Sequence, residues 1–219
     1  ETGLIRGPDG VLHFRNLRLI APSVRLSGNG YRRKDGSFHF EGSGNQAEYG
    51  PVSLVLDGNI ARPKLAIRLE RPNDALGLRD VLLNLDPTSE GYDYEAEGQS
   101  HLGPFTSNGA IRMPADAPAT IEIAALRVSG TTASGTLRSD PGGFTGNLDV
   151  AGGGLNGRLL FDVVNAMQRI QVNLAAENAN FAGPPPVTIR RGRVNGVILL
   201  DPAGTWVRGS LSARGLRRG

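Results

Sequence analysis

Alternation with a period of two runs through most of the chain, and it constrains the fold more than any other feature. In Val52-Ser53-Leu54-Val55-Leu56-Asp57-Gly58 the even positions are apolar or glycine and the odd ones mostly polar. In Lys64-Leu65-Ala66-Ile67-Arg68-Leu69-Glu70 the odd positions are apolar and the even ones mostly charged. Tyr92-Asp93-Tyr94-Glu95-Ala96-Glu97 separates aromatics from acids, and residues 144–150, 155–161 and 170–174 alternate in the same way. Successive side chains of a strand point to opposite faces, so these segments read as half-buried strands with one apolar and one wet face. Turn residues stand between them: Asp35-Gly36, Asp57-Gly58-Asn59, Asp86-Pro87, Asp140-Pro141-Gly142-Gly143 and Asp201-Pro202-Ala203-Gly204. Such short connections predict antiparallel meanders. Helical signal is nearly absent; residues 162–168 and 73–79 allow a turn or two. The fold class is therefore all-β: a curved, mostly antiparallel repeat sheet.

Composition removes several function classes. There is no cysteine in the 219 residues, which excludes a disulfide scaffold, a thiol nucleophile and thiolate-held metals. Three histidines argue against a His-rich metal site, and 5% aromatics argue against the two aromatic girdles of a transmembrane barrel. The net charge is +3, with acids and arginines scattered among each other. A nucleic-acid binder would show a basic stripe interleaved with aromatics. The densest basic runs, Arg32-Arg33-Lys34, Arg190-Arg191-Gly192-Arg193 and residues 214–218, read as solvated turns or strand ends. No apolar run is long enough for a membrane-spanning helix, and the opening residues are not expected to be a signal peptide.

Internal similarity is loose. Phe14-Arg15-Asn16-Leu17-Arg18-Leu19 resembles Leu78-Arg79-Asp80-Val81-Leu82-Leu83, and more distantly Ile123-Ala124-Ala125-Leu126-Arg127-Val128 and Ile189-Arg190-Arg191-Gly192-Arg193-Val194. The spacing is several strands long and irregular, unlike a tight solenoid. Gly50-Pro51, Gly103-Pro104 and Gly183-Pro184 suit edges or crossovers between strand groups. No linker divides the chain, so residues 1–219 are read as a single repeat segment. Its ends, Glu1-Thr2-Gly3 and Leu216-Arg217-Arg218-Gly219, suggest an interior piece of a longer protein.

The apolar phase is thin. Gly28, Gly30, Gly135, Gly146 and Gly157 all fall in it. Glycine fills no volume, whereas a packed core demands it. Either these glycines mark bulges and curvature, or the sheet curls around something other than its own side chains.

Candidate chemistry is sparse. His13, His39 and His101 are far apart and read as surface histidines. Asp93, Glu95 and Glu97 form an acidic row that offers Ca²⁺ ligands but reads first as a solvated face. Gly152-Gly153-Gly154 lacks the Lys-Ser/Thr of a phosphate loop, and no nucleophile elbow is present. Trp206, the single tryptophan, is expected in a core or an interface. No enzymatic activity and no cofactor are expected.

Several phrases carry a resemblance. Thr120-Ile121-Glu122-Ile123, residues 126–148, residues 91–105, Gln168-Arg169-Ile170 and residues 181–190 resemble the TamB (translocation and assembly module) family, within the wider AsmA-like bridge proteins. The resemblance implies a long sheet folded into an elongated, open, β-taco-like groove with an apolar concave face. It implies an inner-membrane-anchored periplasmic parent that carries phospholipid between membranes and works with a TamA-like outer-membrane barrel in protein assembly. The expected groove lining follows the alternation: Val24, Leu26, Phe38, Phe40, Leu54, Leu56, Leu65, Ile67, Tyr92, Tyr94, Leu148, Val150, Leu159, Phe161, Ile170 and Val172 on one concave surface. Arg25, His39, Asp57, Arg68, Asp93, Glu95, Asp149 and Arg158 should face water. The competing class is a structural or adhesive β-repeat with a filled core that binds proteins through its surface.

Overall fold

A computed structural model describes residues 3–21, 24–47, 49–74, 76–181, 187–201 and 204–218. The chain is all-β, and its strands follow one another in the sheet in sequence order. It divides into two compact units, Glu1–Ser100 and His101–Gly219. The first holds β1 (Gly3–Arg6), β2 (Leu12–Ala21), β3 (Val24–Arg32), β4 (Phe38–Gln46), β5 (Gly50–Gly58), β6 (Lys64–Leu69), β7 (Arg79–Pro87) and β8 (Gly91–Ser100). The second holds β9 (Gly103–Arg112), β10 (Thr120–Val128), β11 (Thr131–Asp140), β12 (Gly143–Gly152), β13 (Leu155–Val164), β14 (Met167–Phe181), β15 (Val187–Asp201) and β16 (Gly204–Arg218). Within each unit every neighbouring pair is antiparallel, and among the described residues the sheet is not closed on itself.

Both stretches that allowed helix are hairpin features instead. Residues 162–164 end β13, Asn165 and Ala166 turn at φ 52 and 60, and β14 begins at Met167. Two consecutive positive φ values make the turn whose twist matches the flanking strands. Asn73 and Leu78 form an isolated bridge, and the Gly77 amide donates to the Asp74 carbonyl. Gly50 opens β5 at φ 73 within the β4–β5 hairpin, neither an edge nor a crossover, whereas Gly103 opens β9 at φ 103, the first strand of the second unit, which pairs with β10. Gly183-Pro184, and Pro202-Ala203 of the last expected turn, lie outside the described residues. Trp206 is not in a core: it is 70% exposed on β16, opposite Leu199.

The loosely repeated phrases have a structural meaning. The β2–β3 register shifts between Phe14 and Leu17, the β7–β8 register between Arg79 and Leu82, and the β10–β11 register between Ile123 and Leu126. Asn16 and Asp80 take φ values of 54 and 50 at the first two shifts. Asn and Asp reach that left-handed region most readily after glycine. Each bulge adds one residue, so the apolar phase crosses it without changing face: Phe14 and Leu17 pair with Gly30 and Gly28 on the same side of β3. At the fourth phrase β14, β15 and β16 skip a pairing at one level, at Asn178, Arg190 and Gly215, and the register is preserved.

The apolar face is the concave one, and glycine makes the curvature. Gly135 pairs with Leu148 and Gly146 with Leu137 on adjoining strands. A Cβ on Gly135 would lie 2.2 Å from the Asn147 carbonyl oxygen, and one on Gly146 2.2 Å from that of Thr136. Their φ values, +153 and +143, are ones an L-residue rarely adopts. The backbones close up on this side. Adjacent strands lie about 4.8 Å apart, so next-but-one strands of a flat sheet stand well over 9 Å apart. Here β11 and β13, and β12 and β14, come within 8 Å between Cα atoms. The curl itself buries a core in each unit: Leu26, Phe38 and Phe40 in the first, and Ala133, Leu137, Leu148 and Val150 in the second.

Candidate functional site

Register links carry the expected lining residues onto one face within each unit. In the first, Phe40 opposes Leu56, Leu54 opposes Ile67, Leu56 opposes Leu65, and the row continues from Leu65 to Leu85 and from Leu85 to Tyr94. Val24 and Leu26 lie on the same side of β3, and Tyr92 opposes Pro87. In the second, Leu148 opposes Leu159, Leu159 opposes Val172, and Phe161 opposes both Gly146 and Ile170. Val150 opposes Gly157 in the same phase.

Two layers of exposure appear along this face. Leu26, Phe38, Phe40, Tyr94, Leu148 and Val150 are buried, Phe40 completely. Val24, Leu54, Leu56, Leu65, Ile67, Tyr92, Leu159, Phe161, Ile170 and Val172 are only half-buried. Within each unit, among the described residues, no helix and no second sheet covers them. The sequence reading left out several residues of the same face: Leu83, Leu85, Leu137, Leu174 and Ile189. Leu137 stands between Thr136 and Arg138, an alternation that was there to read. Leu83 and Leu85 were hidden because Leu82, on the opposite face against Glu97, breaks the pattern.

In the second unit the apolar face opens into a cleft of about 240 Å³. Leu126, Val128, Ala133, Val150, Leu155, Leu159 and Leu174 line it, with only Ser129, Thr131 and Asn180 bringing polar side chains. An apolar cavity without converging polar groups offers no anchor for water and suits hydrocarbon.

The opposite face is polar, as expected. Arg25, Arg68, Asp93, Glu95, Asp149 and Arg158 are exposed. His39 and Asp57 lie on it but are half-buried, because His39 Nδ1 is 2.7 Å from Asp57 Oδ1 and its ring stacks on Tyr31 at 4.9 Å. His13, Tyr31, His39 and Asp57 make one cross-strand row from β2 to β5. Beside it an open recess of about 1030 Å³ is lined by His13, Arg15, Asn29, Tyr31, His39 and Glu41 among others. Asp93, Glu95 and Glu97 stand along β8 opposite Asp86, Asn84 and Leu82. Among the described residues no three His, Asp or Glu side chains converge as a metal site.

Cross-strand ion pairs tie this face together. Arg158 Nε lies 2.7 Å from Asp149 Oδ1, and Arg169 pairs with Asp162. The hydrogen bond from Arg169 holds the Asp162 carboxyl below its ordinary 3.8, against the opposing pull of desolvation. A depressed folded-state pKa contributes stability that is complete above the unfolded value and is lost as pH falls through the folded one. Asp162→Asn should therefore flatten the acid side of the stability curve below its ordinary 3.8 and leave its slope near neutrality unchanged. Urea midpoints measured against pH would show it; an unchanged acid limb would refute the coupling.

Among the described residues, no helix is long and apolar enough to cross a membrane. No protein-family model, no curated protein and no solved structure matches the chain.

Proposed function

We propose that this chain is a lipid-handling segment of a periplasmic bridge protein of the TamB type, not an enzyme. Its concave face shelters phospholipid acyl chains on their way between the inner and outer membranes. The single observation that carries this reading is the half-exposed, uncovered apolar face of a strongly curled sheet. Soluble proteins rarely leave such contiguous apolar surface without an occupant. Removing an acyl chain of about 16 carbons from water is favourable by on the order of 12 kcal/mol, at about 0.8 kcal/mol per methylene. A face of Leu, Ile, Val and Phe supplies that shelter without a polar group to arrest the chain. The inner-membrane anchor and the TamA-like barrel partner, with its role in outer-membrane protein assembly, belong to the same proposal and rest on the sequence resemblance.

Photo-crosslinking tests it. Benzoylphenylalanine at Ile67 or Leu159, both half-buried on the apolar face, should capture phospholipid when the chain is expressed in the bacterial envelope. The same probe at Glu41 or Arg158, on the polar face, should not. Leu56→Asp should lower the adduct at Ile67 while the chain stays folded. Absence of lipid from both apolar positions, or equal capture on both faces, would sink the proposal.

The second reading is a structural or adhesive β-repeat. The recess beside His13, Tyr31 and His39 favours it, since it offers hydrogen-bonding groups on the polar face. Capture of protein rather than lipid from the Glu41 position would support that alternative.

A further inference from the structure

On the polar face of β15 and β16, arginines stand directly opposite one another. Several other cations of this face meet carboxylates of neighbouring strands: Arg68 with Asp80 at 2.9 Å, Lys64 with Asp86 at 2.6 Å, Arg158 with Asp149 at 2.7 Å. Opposite charges across strands stabilise a sheet, and like charges directly opposite destabilise it. Yet Arg191 and Arg214 are direct register partners. Glu177 opposes Arg191 from β14, but its Oε1 is 4.0 Å from Arg191 Nε and both side chains are about four-fifths in solvent. Arg193 lies in the same phase, between Ala175 and Ser212. Among the described residues neither Arg193 nor Arg214 has a carboxylate within 4.0 Å.

These groups surround an open notch of about 630 Å³, where Ala175, in the same phase as the arginines, adds little side-chain bulk. We infer that the notch between β14, β15 and β16 binds a phosphate group, whether of free phosphate or of a phosphate-bearing lipid headgroup. Guanidinium groups present planar forked donors that match phosphate oxygens, and the Ser212 hydroxyl adds another donor. A dianion between Arg191 and Arg214 turns their repulsion into attraction to a shared partner. The Glu177 carboxylate repels the same anion and moderates its affinity. This inference stands on the charge pattern alone and does not depend on the acyl-chain reading.

Two probes distinguish the sources. Calorimetric titration with inorganic phosphate at low ionic strength reports the free ion. Co-sedimentation with phosphatidic acid in phosphatidylcholine vesicles, against phosphatidylcholine alone, reports the headgroup. Binding by either probe supports the site. Arg191→Gln and Arg214→Gln should each weaken it roughly tenfold, as loss of a charge-assisted hydrogen-bond pair does. Glu177→Gln should tighten it several-fold, an effect that damage to the fold cannot imitate. Arg25→Gln, an exposed arginine opposite Asn45 on β4, should leave it unchanged. No binding of either probe, an Arg25→Gln loss equal to that of Arg214→Gln, or no gain from Glu177→Gln would overturn the inference.

Discussion

Leu148→Asp is expected to unfold the second unit. Leu148 is 2% exposed and packs with Ala133, Leu137 and Val150, under Ile123, Leu126 and Leu159. A carboxylate there has neither water nor a cation. Truncating the side chain alone costs about 2–5 kcal/mol, and burial of an unpaired polar group adds about 1–3 kcal/mol. That total approaches the whole stability of an ordinary domain. Leu56→Asp should behave differently, because Leu56 is half-buried and its new carboxylate keeps some water. Urea denaturation of the two variants gives the comparison. A Leu148→Asp variant with an unshifted midpoint would mean that the curled core is not packed in solution.

Gly146→Val should be nearly as damaging. It forces an L-residue to φ +143 and drives a Cβ to 2.2 Å from the Thr136 carbonyl oxygen, which is main chain and cannot swing aside. Strain of this kind costs about 1–3 kcal/mol before the clash is counted. Gly58→Ala is the matched control. Gly58 sits at φ +92 with nothing within 4 Å of its Cβ position, so only the conformational term of about 1–2 kcal/mol remains. Thermal unfolding should place Gly146→Val well below Gly58→Ala. Equal melting temperatures would show that close approach of the strands does not matter.

The sheet was legible in the sequence wherever alternation was strict. Residues 52–58, 64–69, 92–97 and 144–150 all lie in strands, and their polar and apolar phases point as read. Alternation is a local consequence of strand geometry, so it survives without knowledge of the partners. Two things were not legible. The hairpin at Asn165 and Ala166 has no glycine to announce its positive φ values. Whether an apolar residue is floor or rim was hidden as well: Leu148 and Leu159 carry the same side chain and oppose one another, yet one is buried and the other half-exposed. That difference depends on how sharply the strands bend, which is a property of several neighbours together. The glycines hinted at it. Whether they meant curvature or an occupant was left open, and their contacts with neighbouring main-chain atoms show curvature at Gly135 and Gly146.

Strict sequence order in the sheet has a consequence for how the molecule acquires and keeps its structure. Within each unit, main-chain pairing is made almost wholly with the strand just before and the strand just after. Its energetics are then those of a linear chain of coupled units: each hairpin has its own stability, and each interface adds a term. Folding requires closure of short loops only, so a hairpin anywhere can serve as the seed and growth can proceed in both directions. Damage is correspondingly local. A lesion in β12 much milder than Leu148→Asp should first loosen β11 and β13, while amide protons several strands away exchange at their former rates. For the same reason such a sheet is readily lengthened: a hairpin appended at an edge meets one existing strand and leaves every earlier pairing as it was.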